Sequence, residues 1–279
     1  MEDGMPTKQL DLMYMKLLRY ALVVDDDEPQ TAKKLLQRFR QIVGAIVTLF
    51  ESLTPGALAT LLGIKPWKVE RTLESLSSVL GYYSESQDLR IRVLHPSFRD
   101  FLLDKTRCDD SQFGIVGYSA HRDLAASCFD LMSGFLRQDI CSLALPGSLT
   151  SEVDRCVIQR CLPQEVQYAC RYWVDHLQRS NVILLDCEPL YDRVHNFLRE
   201  HLLHWLEALS LMGNLSEGVL LVRAMDSMLT VSDPTYFELC VLVFEDLLGD
   251  TGQPVPVACN TATIPNFKIW WIQRRMLLT

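Results

Sequence analysis

Residues 89–102, LRIRVLHPSFRDFL, contain the clearest change of hydrophobic period in the chain. Its first half alternates Leu89, Ile91 and Val93 with arginines, which is the two-residue period of a half-buried strand. Pro96 then marks a change, because proline is favoured at the first position of a helix and the apolar residues after it follow helical spacing. The sequence therefore predicts a short β-element that passes directly into a helix.

Upstream of this strand, the sequence predicts three helices. Apolar residues recur at helical spacing over 31–51. Thr54 is the predicted N-cap of a short helix, Pro55 is its first residue, and Gly63 marks its end. Pro66 opens the third helix, and residues 82–83 supply a partner strand for the β-element, with a turn from residue 84 to 88. Three helices, a β-hairpin and a closing helix are the element order of a winged-helix domain.

The remaining chain is predicted to be almost entirely helical. A helix precedes the winged-helix region at 8–22, followed by an acidic linker at 25–28. Further helix-period runs lie at 119–136, 163–179, 188–211 and 215–229, with a weaker one at 234–248. The fold class is mainly α, a winged-helix domain followed by an array of α-helical hairpins. The predicted divisions are 1–32 (helix and linker), 33–105 (winged helix), 106–230 (helical domain) and 231–279 (divergent and partly disordered).

Composition bounds the class of protein. The chain has 279 residues, of which 48% are hydrophobic and 22% charged, so it can bury a sizeable core. No apolar stretch approaches the ~18 residues that span a bilayer, and the N-terminus does not resemble a signal peptide. Nine cysteines in such a chain predict reduced thiols and a cytoplasmic location. The net charge of −8 argues against extensive nucleic-acid contact.

The sequence gives no support to a catalytic role. None of the thirteen glycines is followed by lysine, which excludes the phosphate-binding loop of P-loop NTPases. Nucleophile-elbow and zinc-protease motifs are also absent. Two groups have ligand-type residues at spacings unlike those of known metal sites: His195, His201 and His204, and Cys156, Cys161, Cys170 and His176. We therefore expect no enzyme activity, no metal and no cofactor bound by this chain alone.

Local charge gives one candidate binding surface. Between residues 33 and 107 there are twelve basic and seven acidic residues, a net +5, so the remainder carries −13. The third helix and the hairpin hold the candidate basic docking face, which comprises Lys65, Lys68, Arg71, Arg90 and Arg92. One interpretation is docking on another protein surface. The alternative is a DNA-binding winged helix, whose third helix enters a major groove.

Four blocks of sequence point to a known family. They are RFRQIVGAIVTLFESLTPGALATLLG, VLHPSFRDFLLD, LPQEVQYACRYWVDHLQRS and FLREHLLHWLEALSLMGNLSEGV, in this order. Together they resemble the fungal NACHT-type signalling NTPases of the STAND class, NOD-like receptors of the vegetative (heterokaryon) incompatibility type that often end in WD repeats. The resemblance covers roughly residues 8–230. It implies that residues 8–32 are the last helix and linker of a NACHT core, followed by the winged helix and the helical region.

The resemblance implies a regulatory role in signal transduction. In this class, a histidine at the strand-to-helix junction of the winged helix contacts the ADP phosphate, and His95 matches that position. ADP or ATP would bind only to a NACHT core supplied by a longer product or a relative, because this chain has no phosphate-binding loop. The implied partners are that core and further copies of the chain. A truncated decoy or adapter for full-length relatives shares this fold, and DNA binding is the alternative function.

Overall fold

The structure, a computed structural model, describes residues 5–22, 29–85, 88–108, 112–143, 153–181 and 188–228. The chain divides into two compact units, unit 1 (residues 1–127) and unit 2 (residues 128–279), which are described separately. The described ranges are mainly helical, as predicted. Their elements are α1 (Met5–Ala21), α2 (Pro29–Thr48), α3 (Pro55–Leu61), α4 (Pro66–Ser75), β1 (Leu80–Glu85), β2 (Asp88–Val93), α5 (Pro96–Leu103), α6 (Gly117–Phe135), α7 (Arg155–Cys161), α8 (Gln164–Arg179), α9 (Glu188–Leu211) and α10 (Leu215–Met228).

The predicted hairpin is confirmed as an antiparallel pair of strands, β1 and β2. Tyr82 lies opposite Ile91, as the pairing of residues 82–83 with the strand requires. The pairing extends further than predicted, to Glu85 opposite Asp88, where the sequence suggested a turn. Only two residues separate this last pair, which is the commonest loop length of a β-hairpin.

The residues that begin and end α3, and the residue that begins α4, are those that the sequence predicts. The Thr54 hydroxyl accepts a hydrogen bond from the Ala57 amide at 3.2 Å, so it caps the first turn of α3. Gly63 has a φ of +62°, a left-handed conformation that glycine adopts without steric penalty after a helix. Pro66 then begins α4, where its missing N–H leaves no intrahelical bond unmade.

Helix α2 ends at Thr48, three residues before the predicted limit. The Thr48 hydroxyl bonds back to the Gly44 carbonyl at 2.6 Å, and the Arg99 side chain donates to the Val47 carbonyl at 2.7 Å. Val47 lies in the last turn, so the Arg99 bond satisfies one of the carbonyl groups that a helix leaves open at its C-terminus. The side chain of Arg99, on α5, therefore takes a place that a further turn of α2 would otherwise fill.

Unit 1 is held together by contacts between elements distant in sequence. The Ile91 amide on β2 donates to the Leu53 carbonyl at 2.9 Å, which ties the segment before α3 to the edge of the sheet. On α1, the Tyr14 hydroxyl bonds to the Ser97 hydroxyl at 2.9 Å, and its ring lies 5.1 Å from that of Phe98. Tyr14 and Phe98 are both buried, so α1 contributes to the same core as α5.

Unit 2 is organised around large aromatic side chains. Trp173 of α8 lies with its ring centre 5.0 Å from Phe129, 5.6 Å from Phe197 and 5.4 Å from Trp205. The Trp205 indole N–H donates to the Cys170 carbonyl at 2.8 Å, so this buried polar group is satisfied. The predicted helices at 119–136, 163–179, 188–211 and 215–229 match α6, α8, α9 and α10.

The sequence analysis missed one helix, and several predicted segments lie outside the described residues. The short helix α7 (Arg155–Cys161) was not predicted. The acidic linker at 25–28, the weak helix at 234–248 and the C-terminal residues up to 279 lie outside the described residues. The four predicted domain limits therefore remain predictions of the sequence.

Candidate functional site

His95 lies at the junction between β2 and α5, as predicted. It occupies the N-cap position of α5 with extended backbone angles, φ −128° and ψ 114°. Its imidazole makes no capping hydrogen bond, and the residue is exposed. An exposed imidazole at a helix N-terminus can donate a hydrogen bond to an anion there.

The backbone on both sides of His95 is fixed. The Leu94 amide donates to the Val79 carbonyl at 2.8 Å, and the His95 carbonyl accepts from the Phe98 amide at 2.9 Å. Beyond the junction, Ser97 bonds to Tyr14, and Phe98 is fully buried. The rigid surroundings therefore hold the exposed imidazole at a defined point on unit 1.

Three basic residues lie along the start of α4, and they differ in their exposure. Lys65 immediately precedes the helix and is exposed, Lys68 is half-buried, and Arg71 is exposed. A spacing of three residues turns by about 300° along a helix, so the three side chains point in successively rotated directions rather than forming a straight row. They form a curved basic edge rather than a flat surface.

The two arginines of the hairpin have different surroundings. The Arg90 guanidinium lies 3.2 Å from the Glu51 carboxylate and donates to the Ser52 carbonyl at 2.9 Å. This side chain is therefore already engaged in tying β2 to the segment before α3. Arg92, two residues along on the same face of the strand, is exposed.

Acidic side chains border the basic residues of α4. Glu70 and Glu74 lie four residues apart on the same side of the helix. The pKa of the Tyr82 hydroxyl on β1 is raised, first by partial burial and then by the negative charges of these two glutamates. Both glutamates therefore lie close to β1. The surface of α4 is thus divided between an acidic edge towards β1 and a basic edge away from it.

Four of the residues considered as metal ligands have neighbours within unit 2 that the structure defines. Among the described residues, no cluster of three or more histidine, cysteine or acidic side chains has the geometry to hold a metal ion. His176 is buried and shares a 2.7 Å hydrogen bond with the Tyr168 hydroxyl, while burial raises the pKa of the Cys170 thiol. His201 stacks on Phe197, with its Nδ1 3.4 Å from that of His204.

The surroundings of the candidate residues contain features that sequence reasoning missed. Trp67 of α4 is 47% exposed, and the Arg38 guanidinium of α2 lies 5.5 Å from the centre of its ring. A tryptophan next to a proline at the start of a basic helix was a visible signal, but the partner arginine is 29 positions away. Within the described ranges, no helix is long and apolar enough to cross a bilayer.

Comparisons with known proteins give one informative similarity. The chain is 33% identical over 173 residues to the vegetative incompatibility protein HET-E-1 of Podospora anserina. The match covers 57% of this chain and 12% of HET-E-1. Because the chain spans only a small part of that relative's length, the activity and partners of the whole relative are proposals here. No protein-family model matches the chain, and no solved structure matches it significantly.

Proposed function

We propose that this chain is a regulatory and interaction part of a NACHT-type signalling protein that acts in fungal non-self recognition, with no catalysis of its own. The observation that carries the proposal is the 33% identity to HET-E-1 over 173 residues. In this role, unit 1 and the helical region couple the nucleotide state of a NACHT core to a conformational change and to oligomerisation.

The order of elements in unit 1 supports the winged-helix part of this proposal. Helices α2, α3 and α4 precede the hairpin, and α5 follows it. The hydrogen bond from the Ile91 amide to the Leu53 carbonyl supports it further, because it adds the segment between α2 and α3 to the edge of the hairpin. This compact module is the part that a nucleotide-binding core would contact.

The nucleotide-sensing role rests on His95. This chain can supply one contact to ADP, from the His95 imidazole to a phosphate group. The imidazole is exposed, makes no capping hydrogen bond and lies at the N-terminus of α5. In the assembled protein the core would bind the nucleotide, and the His95 imidazole would donate to a phosphate oxygen. A hydrogen bond to a charged group contributes about 1.5–3 kcal/mol, enough to favour one state of a two-state switch.

The test is direct binding to a separately expressed fungal NACHT core. We expect the chain to bind the core in the presence of ADP, and His95→Ala to weaken binding about tenfold, which corresponds to ~1.4 kcal/mol. His95→Gln, which keeps an N–H donor, should retain part of the affinity. Failure of the unmodified chain to bind would contradict the proposal, whereas equal binding by all three proteins would remove only the role of His95.

Two alternatives differ from this proposal in what they require. Duplex DNA binding would use Lys65, Lys68 and Arg71, but the acidic edge of α4 and the engagement of Arg90 with Glu51 oppose it. A truncated decoy or adapter would have the same contacts with a NACHT core and would differ only in the length of the natural product. An immunoblot of that product separates the decoy from a longer receptor.

A further inference from the structure

Trp67 is the centre of an unusual surface on unit 1. Its side chain is 47% exposed, whereas Trp173 and Trp205 are fully buried. The Arg38 guanidinium lies 5.5 Å from the ring centre, and this contact bridges α2 and α4. A cation over the face of an indole is attracted by the ring electrons, so Arg38 orients the indole while leaving much of it open to solvent.

Two further cations extend this surface. Lys34 lies one turn before Arg38 on α2, and Arg71 lies one turn after Trp67 on α4, so each shares a face with its neighbour. Both are exposed. We call these four residues the α2–α4 patch. It combines an open aromatic face with three positive charges, in a chain whose net charge is −8.

We propose that the α2–α4 patch binds an acidic segment of another polypeptide, with an apolar side chain of that segment resting on the Trp67 indole. Tryptophan and arginine are the residue types that most often dominate protein–protein binding energy. The positive charges supply complementarity to an acidic partner and speed its association. Because the indole is already oriented by Arg38, little side-chain freedom is lost on binding.

A polypeptide fits these contacts better than duplex DNA does. Glu70 and Glu74 lie on the neighbouring edge of α4, close to Tyr82, and would repel a phosphate backbone laid along the helix. A short peptide can place its acidic side chains beside Lys34 and Arg38 on α2, a helix without acidic residues, and its apolar side chain on Trp67, whereas a duplex carries phosphates along its whole length. The inference requires no nucleotide and no NACHT core, so it stands or fails independently of the proposed function.

The test uses the full chain and two fluorescein-labelled probes. One probe is a 16-residue peptide of glutamate and aspartate with a central leucine–phenylalanine pair, and the other is a 20-base-pair DNA duplex. Fluorescence anisotropy at 50 and 300 mM NaCl gives the affinity for each probe. We expect saturable peptide binding that weakens with salt and exceeds the affinity for the duplex at both concentrations.

Variants locate the binding surface. Trp67→Ala and Arg38→Ala should each weaken peptide binding at least tenfold, while Trp67→Phe should retain part of the affinity because it keeps an aromatic face. Lys105→Ala removes an exposed cation outside the patch and should change nothing. Circular dichroism confirms that each variant is folded. The proposal is overturned by absence of peptide binding, by equal binding of the patch variants, or by tighter binding of the duplex.

Discussion

The two units place the same residue type in opposite environments. Unit 1 has one tryptophan, Trp67, and leaves almost half of it exposed on α4. Unit 2 buries Trp173 and Trp205 completely, in contact with each other and with neighbouring phenylalanines. The difference shows that aromatic content alone does not identify a core. The Trp67 indole is part of the surface of unit 1, whereas the indoles of Trp173 and Trp205 form the centre of the core of unit 2.

A second contrast lies in how the helices begin. In unit 1, α3 depends on the Thr54 side chain for its first turn. In unit 2, α8 begins after Pro163 with no capping side chain, and its stability comes from a continuous buried face. A local side-chain cap therefore contributes to the start of α3, whereas α8 depends on packing against distant residues.

The buried and exposed tryptophans should differ strongly in how much they contribute to stability. Trp173→Ala removes a fully buried side chain from the centre of the aromatic core, and we expect it to lower the free energy of unfolding by about 3–5 kcal/mol. Trp67→Ala, the matched control, should lower it by less than about 1 kcal/mol. Urea unfolding followed by circular dichroism measures both. Similar losses for the two variants would mean that Trp67 is part of a core.

An intermediate effect tests the capping contrast. Thr54→Ala removes the oxygen that accepts from the Ala57 amide, and we expect a loss of about 1 kcal/mol in the stability of unit 1. Thr54→Ser keeps the oxygen and should keep most of that stability. Thermal unfolding of the three proteins at one concentration gives the comparison. An alanine variant as stable as the serine variant would show that α3 begins without its cap.

The sequence predicted those parts of the fold that short-range chemistry determines. The alternation of Leu89, Ile91 and Val93 identified β2, and the threonine and proline signals placed the first residues of α3 and α4. The end of α4 was placed too late, because Leu80 belongs to β1 rather than to this helix. Helix α7 escaped prediction because it has only seven residues, too few for an apolar period to stand out. Its one signal was Asp154, whose carboxylate caps the helix by accepting from the Cys156 amide.

The candidate site was predictable in position but not in its pairing. The sequence placed His95 at the start of α5, and the structure has it there. It also placed Arg90 on a basic face, but could not show the contact with Glu51, 39 positions earlier. The Arg38–Trp67 contact was missed for the same reason, because side-chain partners on different elements are set by how those elements pack. Such pairs decide which cations of a basic face remain open to a partner.

Asp175 of unit 2 carries a half-buried carboxyl group. Burial is the main cause that raises the pKa of this carboxyl, and Glu217 adds to it, while Arg179 opposes it. The folded protein therefore binds the proton more tightly than the unfolded chain does. Stability falls as the pH rises from below the ordinary pKa of an aspartate through the raised pKa of the folded state, and the loss is complete above the latter.

Asp175→Asn removes this unfavourable charge. Because the carboxyl is only partly buried and solvent screens it, we expect a gain of about 0.5 kcal/mol or less at pH 7. The gain should vanish well below the ordinary aspartate pKa, where the Asp175 carboxyl is neutral in both the folded and the unfolded protein. Asp192→Asn, at an exposed position on α9, is the matched control and should have no effect. Thermal unfolding at pH 7 and pH 2.5 measures the difference. A gain of equal size at both pH values would assign the effect to side-chain packing rather than to the buried charge.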